Sequence, residues 1–124
     1  MVAEQIGYVP CFIRFPGGSS NEISANYNQG IMSRLVDAVR ARGYQYFDWN
    51  ASTGDGAVHT ADEIVSFGTN DYGQSTVMLL CHDSATKQTT VEALPRIIEY
   101  YQQNGYTFEA ISRATSQIHH GVSN

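Results

Sequence analysis

Three residues whose side chains can transfer protons or bind carboxylates follow three apolar stretches of this sequence. Arg14 follows "CFI", Asp48 follows "YQYF" and His82 follows "VMLLC". If each stretch is a strand of a parallel sheet, these side chains lie at the carboxyl ends of the strands, where α/β proteins place their functional residues. The pattern predicts an active-site rim that contains Arg14, Asp48 and His82. The alternative interpretation is that they are ordinary polar residues of surface loops.

His82 is the residue of this rim best suited to general acid or base catalysis. Its imidazole needs an acceptor that fixes the tautomer, and Asp48 is the predicted acceptor. Because side chains alternate along a strand, His82 and Leu80 point to one face, whereas Cys81 points to the other. Cys81 and His82 are therefore not expected to form a nucleophile and base pair.

The stretch "PGGSSN" after Arg14 permits two other kinds of site. Ser19 or Ser20 with His82 and Asp48 would form a hydrolase triad, but "GGSSN" departs from the G-x-S-x-G elbow. The Gly-Gly-Ser run would also cradle a phosphate, but the P-loop lysine is absent and the next predicted helix begins too late. Both sites are weaker alternatives to the rim.

Two further kinds of site depend on residues outside the rim. A glycosidase with two carboxylates would need a second acid, for which Asp55 is the nearest candidate, although no spacing supports that pair. His59, His119 and His120 are candidate metal ligands, since histidine is the commonest one. They are preferably interpreted as surface histidines, because no third ligand lies at a recognisable spacing.

The residues between these strand ends indicate helices that alternate with the strands. Three segments, "EQIGYVPCFI", "ARGYQYFDW" and "QNGYTFEAI", pass from polar residues through Gly-Tyr into a strand-like stretch. Gly7, Gly43 and Gly105 are typical of glycines that end a helix, since a left-handed backbone is least costly for a residue without Cβ. A further stretch, "STVMLLCHD", is the most apolar of the predicted strands.

Hydrophobic periodicity and capping residues predict three helices. The spacing of "IMSRLVDAV" predicts an amphipathic helix over residues 28–42. A shorter helix is predicted over residues 60–67, where Thr60 and Glu63 form a capping box. A third helix contains "LPRIIEYY", with Pro95 in its predicted first turn. The predicted fold class is therefore α/β, with about four parallel strands and flanking helices.

Charge and hydropathy exclude two classes of function. Seven Lys and Arg stand against 12 Asp and Glu, which gives a net charge of −5 without a basic cluster. Because phosphate neutralisation needs grouped cations, nucleic acid is not an expected partner. Neither a signal peptide nor a membrane-spanning segment is expected, since no stretch has the necessary apolar length.

Four stretches together resemble the C-terminal half of a polysaccharide deacetylase of the NodB homology type, which is carbohydrate esterase family 4. They are "RFPGGSSN", "YFDWN", "VMLLCHDSATKQTTVEALPRIIEYYQQNGYTF" and "HHGVSN". The resemblance extends from about Gly7 to Asn124 and points in particular to clostridial peptidoglycan and chitooligosaccharide deacetylases. It implies a deformed (β/α) barrel, of which residues 1–124 form a partial domain without the N-terminal half. Enzymes of this family use a divalent metal to remove acetyl groups from N-acetylglucosamine units.

The resemblance also implies roles for five residues. Arg14 matches the arginine of the third family motif, which orients the catalytic-base aspartate. Asp48 and Trp49 match the end of the fourth motif, in which the aspartate pairs with the catalytic histidine and the tryptophan forms a wall of the pocket. Leu80 and His82 match the fifth motif, L-x-H. Its leucine lines the pocket for the acetyl methyl group, and its histidine is the general acid for the leaving amine.

Two family motifs are absent from the 124 residues. The first, T-F-D-D-G, supplies the base aspartate and a metal-binding aspartate, and the second, H-x-x-x-H or similar, supplies two metal-binding histidines. A zinc or cobalt ion is implied for the full-length family, but no metal is expected in this chain. Because the metal activates the water and the base takes its proton, we expect the isolated chain to be inactive.

Two explanations of the missing motifs are open. The chain is either part of a complete deacetylase or a natural half-domain that binds carbohydrate or a partner without catalysis. The implied substrate is a polysaccharide that contains N-acetylglucosamine, and the implied location is the cell envelope or the outside of the cell. Half a barrel exposes strand edges and apolar surface, which predicts a homo-oligomer that covers them.

Overall fold

The computed structural model describes residues 2–124, which form an α/β arrangement of short parallel strands and helices. The elements are α1 (Val2–Ile6), β1 (Phe12–Ile13), a 3₁₀ turn (Ile23–Asn26), α2 (Ile31–Ala41), β2 (Gln45–Tyr46), β3 (Ala51–Ser52), α3 (Ala61–Gly68), β4 (Leu79–Leu80) and α4 (Gln88–Gln103). They divide into two compact units. Unit 1 contains residues 2–48 and 112–124, and unit 2 contains residues 49–111.

Unit 1 is built on the parallel pair of β1 and β2, in which Ile13 lies beside Tyr46. Helix α2 covers this pair and contributes Met32 and Val36 to a core that also contains Phe15 and Tyr46. Burial of an apolar side chain of this size stabilises the fold by roughly 1.5–3 kcal/mol. The amphipathic helix predicted over residues 28–42 is thus confirmed, with slightly narrower bounds.

Unit 2 is built on a second parallel pair, β3 and β4, in which Ser52 lies beside Leu80. Helices α3 and α4 pack on each other through Ile64, Ala93 and Ile97, which are at most 2% exposed. Strand β3 was not predicted as a separate strand. It adds one more strand end to the places where functional residues can lie.

Capping residues set the ends of the helices as predicted. The Thr60 hydroxyl accepts the Glu63 N–H at 3.3 Å, and Glu63 in turn accepts the Thr60 N–H at 2.8 Å. Gly7, Gly43 and Gly105 have φ angles of 78°, 79° and 82°, in the region that favours glycine. Capping box and glycine stops are therefore confirmed.

Helix α4 departs from its prediction. Pro95 lies inside the helix and not in its first turn, because the helix already begins at Gln88. The extra turns are held by a tertiary contact, since the buried Thr90 hydroxyl donates to Asp55 at 2.8 Å. This contact supports the first turn of α4, so Pro95 stands in the interior of the helix despite the preference of proline for its start.

The prediction of a strand after Gly105 is also wrong. Residues 107–111 have no assigned secondary structure, and none of their backbone groups makes a hydrogen bond within the part of the chain that the structure describes. Phe108 is 59% exposed and Ile111 is 46% exposed. An apolar groove of about 200 Å³ lies between this segment and α4, lined by residues that include Leu94 and Ile98.

Within the described residues, no helix has the length and hydropathy of a membrane span.

Candidate functional site

The most clearly built polar site in unit 2 pairs His82 with Asp55. Asp55 follows β3 by three residues, and His82 follows β4 by two. Because Ser52 and Leu80 are neighbours in register, the chain leaves the two strands side by side. The His82 ring Nδ1 lies 2.8 Å from Asp55 Oδ1, and the His82 backbone N–H donates to Asp55 Oδ2 at 2.8 Å.

Asp55 is ionised although it is only 1% exposed. Burial acts to raise its pKa, but hydrogen bonds from the backbone and ring of His82 and from the Thr90 hydroxyl outweigh it and lower the pKa to about 2. An ionised carboxylate can only accept hydrogen bonds. The His82 Nδ1 therefore carries a hydrogen and donates it to Asp55.

The other ring nitrogen of His82 is left open. The imidazole is 44% exposed, and Nε2 makes no hydrogen bond to any residue from 2 to 124. Gly56 lies beside the ring, where a Cβ would approach Cε1 to 3.7 Å, so the absence of a side chain keeps this edge accessible. The pair can therefore present Nε2 to a ligand while Nδ1 stays anchored.

The prediction that Asp48 is the acceptor for His82 is wrong. Asp48 lies in unit 1 and accepts three hydrogen bonds, from the Ser19 hydroxyl at 2.5 Å, the Ser19 backbone N–H at 2.8 Å and the His120 backbone N–H at 2.9 Å. The acceptor of His82 is Asp55, seven residues further along the chain. The physical reason is the additional strand β3, whose end places Asp55 beside the end of β4.

Asp48 is 1% exposed and holds unit 1 together. Burial acts to raise its pKa, but the hydrogen bonds from Ser19 and His120 exceed that effect and lower the pKa below its ordinary value of 3.8. The carboxylate connects the loop after β1 and the segment before Asn124 to the end of β2. Its contacts are those of a structural residue.

The remaining predicted site residues lie in or beside strands. In unit 1, Arg14 directly follows β1, is exposed, and makes no ion pair within residues 2–124. In unit 2, Trp49 is partly buried just before β3. Leu80 is partly buried, and its carbonyl accepts the Thr53 N–H and the Thr53 hydroxyl, each at 3.1 Å. Their roles stay predictions.

The serine site predicted as an alternative has different partners. The Ser20 hydroxyl lies 3.0 Å from Nδ1 of His120, not of His82, and Ser19 is bonded to Asp48. The Gly-Gly-Ser run has no free cradle for a phosphate, since the Gly18 N–H donates to Phe15 and the Ser19 N–H to Asp48. Both contacts satisfy the amides that would bind an anion.

No metal centre is built by the described residues. Among residues 2–124, no group of three or more His, Cys, Asp and Glu could hold an ion. The His59 Nδ1 lies 3.5 Å from Oε2 of Glu63 on the surface of α3. The His119 ring stacks on the Tyr46 ring, with 3.8 Å between the ring centroids. The described residues therefore do not bring together the side-chain ligands that a divalent ion needs. They do not fit the metal that the family resemblance implies.

Two residues of the hydrogen-bonded group around His82 are not among the predicted site residues. The sequence suggests Asp55 only as the second acid of a glycosidase, and no motif points to Thr90. The signal for Asp55 was present, because "ASTGDG" places an acid just after a short strand and before a turn. Thr90 could not be found from sequence, because its contact with Asp55 spans 35 residues.

Comparison with known proteins identifies solved structures of the same fold. No family model and no curated protein matches the chain. The catalytic domain of a peptidoglycan N-acetylglucosamine deacetylase from Eubacterium rectale is 38% identical, with a TM-score of 0.92 over 99% of this chain and 56% of that chain. A Streptococcus mutans CE4 esterase is 28% identical, with a TM-score of 0.67 over 86% of this chain and 47% of that chain.

A polysaccharide deacetylase from Bacillus cereus is 23% identical, with a TM-score of 0.75 over 95% of this chain and 56% of that chain. At this identity the similarity is one of fold. The chain spans about half the length of each of these three proteins.

Proposed function

The chain has the fold of the polysaccharide deacetylase family (NodB homology, carbohydrate esterase family 4), and on this premise we propose that it is part of an enzyme that removes N-acetyl groups from glycans. The glycans proposed are those that contain N-acetylglucosamine, such as peptidoglycan. The observation that carries the proposal is the His82–Asp55 pair, with an anchored Nδ1 and an open Nε2. The cell envelope or the outside of the cell is the proposed place of action.

His82 is the proposed general acid for the leaving amine. When its imidazole is protonated, Nε2 can donate a proton while Nδ1 remains hydrogen-bonded to Asp55. The Asp55 carboxylate stabilises the imidazolium and, after the transfer, holds the neutral ring as the Nδ1–H tautomer. Asp55 thus takes the role predicted for Asp48. A general acid of this kind contributes on the order of 10²–10⁴ in rate.

Three further residues keep the roles that the resemblance implies. Arg14, exposed after β1, is proposed to orient the catalytic base, which requires a carboxylate from outside this chain. Trp49 is proposed to wall the pocket and Leu80 to line the space for the acetyl methyl group. Leu80 lies two residues before His82, so that pocket would adjoin the proton donor.

A divalent metal belongs to the chemistry of the family, but residues 2–124 do not assemble its ligands. We therefore propose that the ligands and the base lie in a polypeptide segment outside these 124 residues. No step of the reaction is assigned to a metal held by this chain. The isolated chain is expected to release no acetate from chitooligosaccharides, with or without added Zn²⁺ or Co²⁺, and clear turnover would contradict the proposal.

A chimera tests the site within a complete domain. This chain replaces the matching 56% of the Eubacterium rectale catalytic domain, and acetate release from N-acetylglucosamine oligomers is measured. We expect His82→Gln and Asp55→Asn to reduce kcat by about 10²-fold or more. Asp83→Asn, at an exposed position next to His82, is the matched control and should retain the parent rate. A folded His82→Gln chimera with undiminished kcat would refute the role of His82.

The second candidate is a non-catalytic module that oligomerises or binds carbohydrate. It is favoured by residues 107–111, whose backbone groups are without hydrogen bonds within residues 2–124, and by exposed apolar side chains such as Phe108. Such an edge can add a strand from another chain. A homo-oligomer is expected in light scattering, and replacement of Phe108 by Ser should weaken it, whereas replacement of the exposed Tyr27 should not. A monodisperse monomer would exclude the oligomer.

A further inference from the structure

We propose that Thr90 is a positioning residue for His82, acting through the Asp55 carboxylate. The inference rests on the proposed function, since it concerns the tautomer of the proposed general acid. Its evidence is a set of three hydrogen bonds, buried or partly buried, that the Asp55 carboxylate accepts. Asp55 Oδ1 faces the His82 ring, and Oδ2 accepts both the His82 backbone N–H and the Thr90 hydroxyl, at 2.8 Å each.

The Thr90 hydroxyl helps to fix the orientation of the Asp55 carboxylate. Two donors converge on Oδ2, and they oppose rotation of the carboxylate about its Cβ–Cγ bond. Oδ1 is thereby kept in the plane and at the distance that the imidazole Nδ1–H requires. Loss of one of the two donors would allow the carboxylate to turn, and Nδ1 would lose its fixed acceptor.

The hydroxyl itself is held by its surroundings. Thr90 is 2% exposed and lies in the first turn of α4, which is anchored on α3 through the buried Ala93 and Ile97. A threonine has one hydroxyl hydrogen and often donates it to its own helix backbone. Here the hydrogen goes to Asp55, so the contact is made across the unit and not within the helix.

The test measures the His82 tautomer by ¹⁵N NMR of the histidine side chains in the 124-residue protein. Thr90→Val removes the hydroxyl at nearly constant volume, and Thr90→Ala is a second variant without the hydroxyl in case valine disturbs the packing. Thr90→Ser keeps the hydroxyl. Thr89→Val makes the same chemical change on the same turn, where the hydroxyl makes no hydrogen bond within residues 2–124.

We expect the wild-type ring to be the Nδ1–H tautomer. In Thr90→Val and Thr90→Ala the ratio of Nδ1–H to Nε2–H should fall by up to roughly tenfold, the size expected if the turned carboxylate no longer accepts the Nδ1–H bond. Thr90→Ser should restore the ratio, and Thr89→Val should leave it unchanged. If Thr90 only stabilised the fold, its replacement would leave the His82 tautomer ratio unchanged in a variant that remains folded.

The two proposals fail in different experiments. If folded Thr90→Val and Thr90→Ala keep the wild-type tautomer ratio, the positioning role is overturned, whatever the chimera shows. If the ratio responds but His82→Gln and Asp55→Asn chimeras keep full activity, the proposed function is overturned and the contact of Thr90 stands.

Discussion

Replacement of Asp55 by Asn should destabilise the protein in a manner that depends on pH. A pKa lowered from 3.8 in the unfolded chain to about 2 in the folded one corresponds to about 2 kcal/mol of stability at pH 7. Because the folded-state pKa is the lower one, this contribution is present above about pH 4 and is lost as the pH falls towards 2. Asparagine cannot ionise, so the variant lacks the contribution at every pH.

The hydrogen bonds that lower this pKa are themselves disturbed in the variant. The carboxylate accepts from three donors, two on His82 and one on Thr90, and an amide nitrogen at Oδ1 or Oδ2 would face a donor. A buried donor left without an acceptor costs about 1–3 kcal/mol. We therefore expect the free energy of unfolding to fall by at least about 2 kcal/mol at pH 7.

Urea unfolding followed by circular dichroism at pH 7, 5, 4 and 3 measures the effect. The part of the difference between wild type and Asp55→Asn that arises from ionisation should be roughly halved at pH 3 relative to pH 7. Asp83→Asn, exposed and adjacent to His82, should change the stability by less than about 0.5 kcal/mol. If the difference for Asp55→Asn does not shrink at low pH, the lowered pKa is refuted.

Three other variants probe the two units by the same unfolding assay. Ser19→Ala removes the hydrogen bond from the Ser19 hydroxyl to Asp48 and should lower the free energy of unfolding by about 2 kcal/mol. This loss is expected above about pH 4, because the pKa of Asp48 is lowered and its ionised form then stabilises the fold. Thr60→Ala removes the cap of α3 and should cost about 1 kcal/mol. Gly68→Ala would place a Cβ 2.7 Å from the end of the buried Ile97 side chain and should cost about 1–2 kcal/mol.

Each of these variants has a matched control at an exposed position. Ser116→Ala in unit 1 and Ser66→Ala on α3 remove exposed hydroxyls that make no hydrogen bond within residues 2–124. Gly121→Ala adds a Cβ where no atom lies within 4 Å. The free energy of unfolding of all three controls should stay within about 0.5 kcal/mol of the wild type. If a control lowers it as much as the variant with which it is matched, the contact assigned to that variant is contradicted.

Local signals predicted the helices well. The periodicity of "IMSRLVDAV" and the Thr60 capping box depend on residues within one or two turns of each other, and both elements form where expected. Gly43 and Gly105 end their helices because a left-handed backbone is required at those positions. Such features are readable from sequence, since neighbours along the chain decide them.

The site was less readable because its partners are distant in sequence. Asp48 and Asp55 are both acids after strand-like residues, and only the pairing of β3 with β4 decides which one meets His82. Thr90 reaches Asp55 across 35 residues. The stretch after Gly105 has strand-forming residues, but a strand needs a neighbouring strand to bond to, and residues 2–124 do not offer one.

The Asp48 carboxylate also has a consequence for the order of folding. It joins Ser19, which is 29 residues away, and His120, which is 72 residues away. Closure of the longer loop costs about 0.8 kcal/mol more than closure of the shorter one, because the entropy lost grows with the logarithm of loop length. Contacts of such long range are expected to form after the rate-limiting step. Stopped-flow measurements should then show that Ser19→Ala accelerates unfolding while the refolding rate changes little.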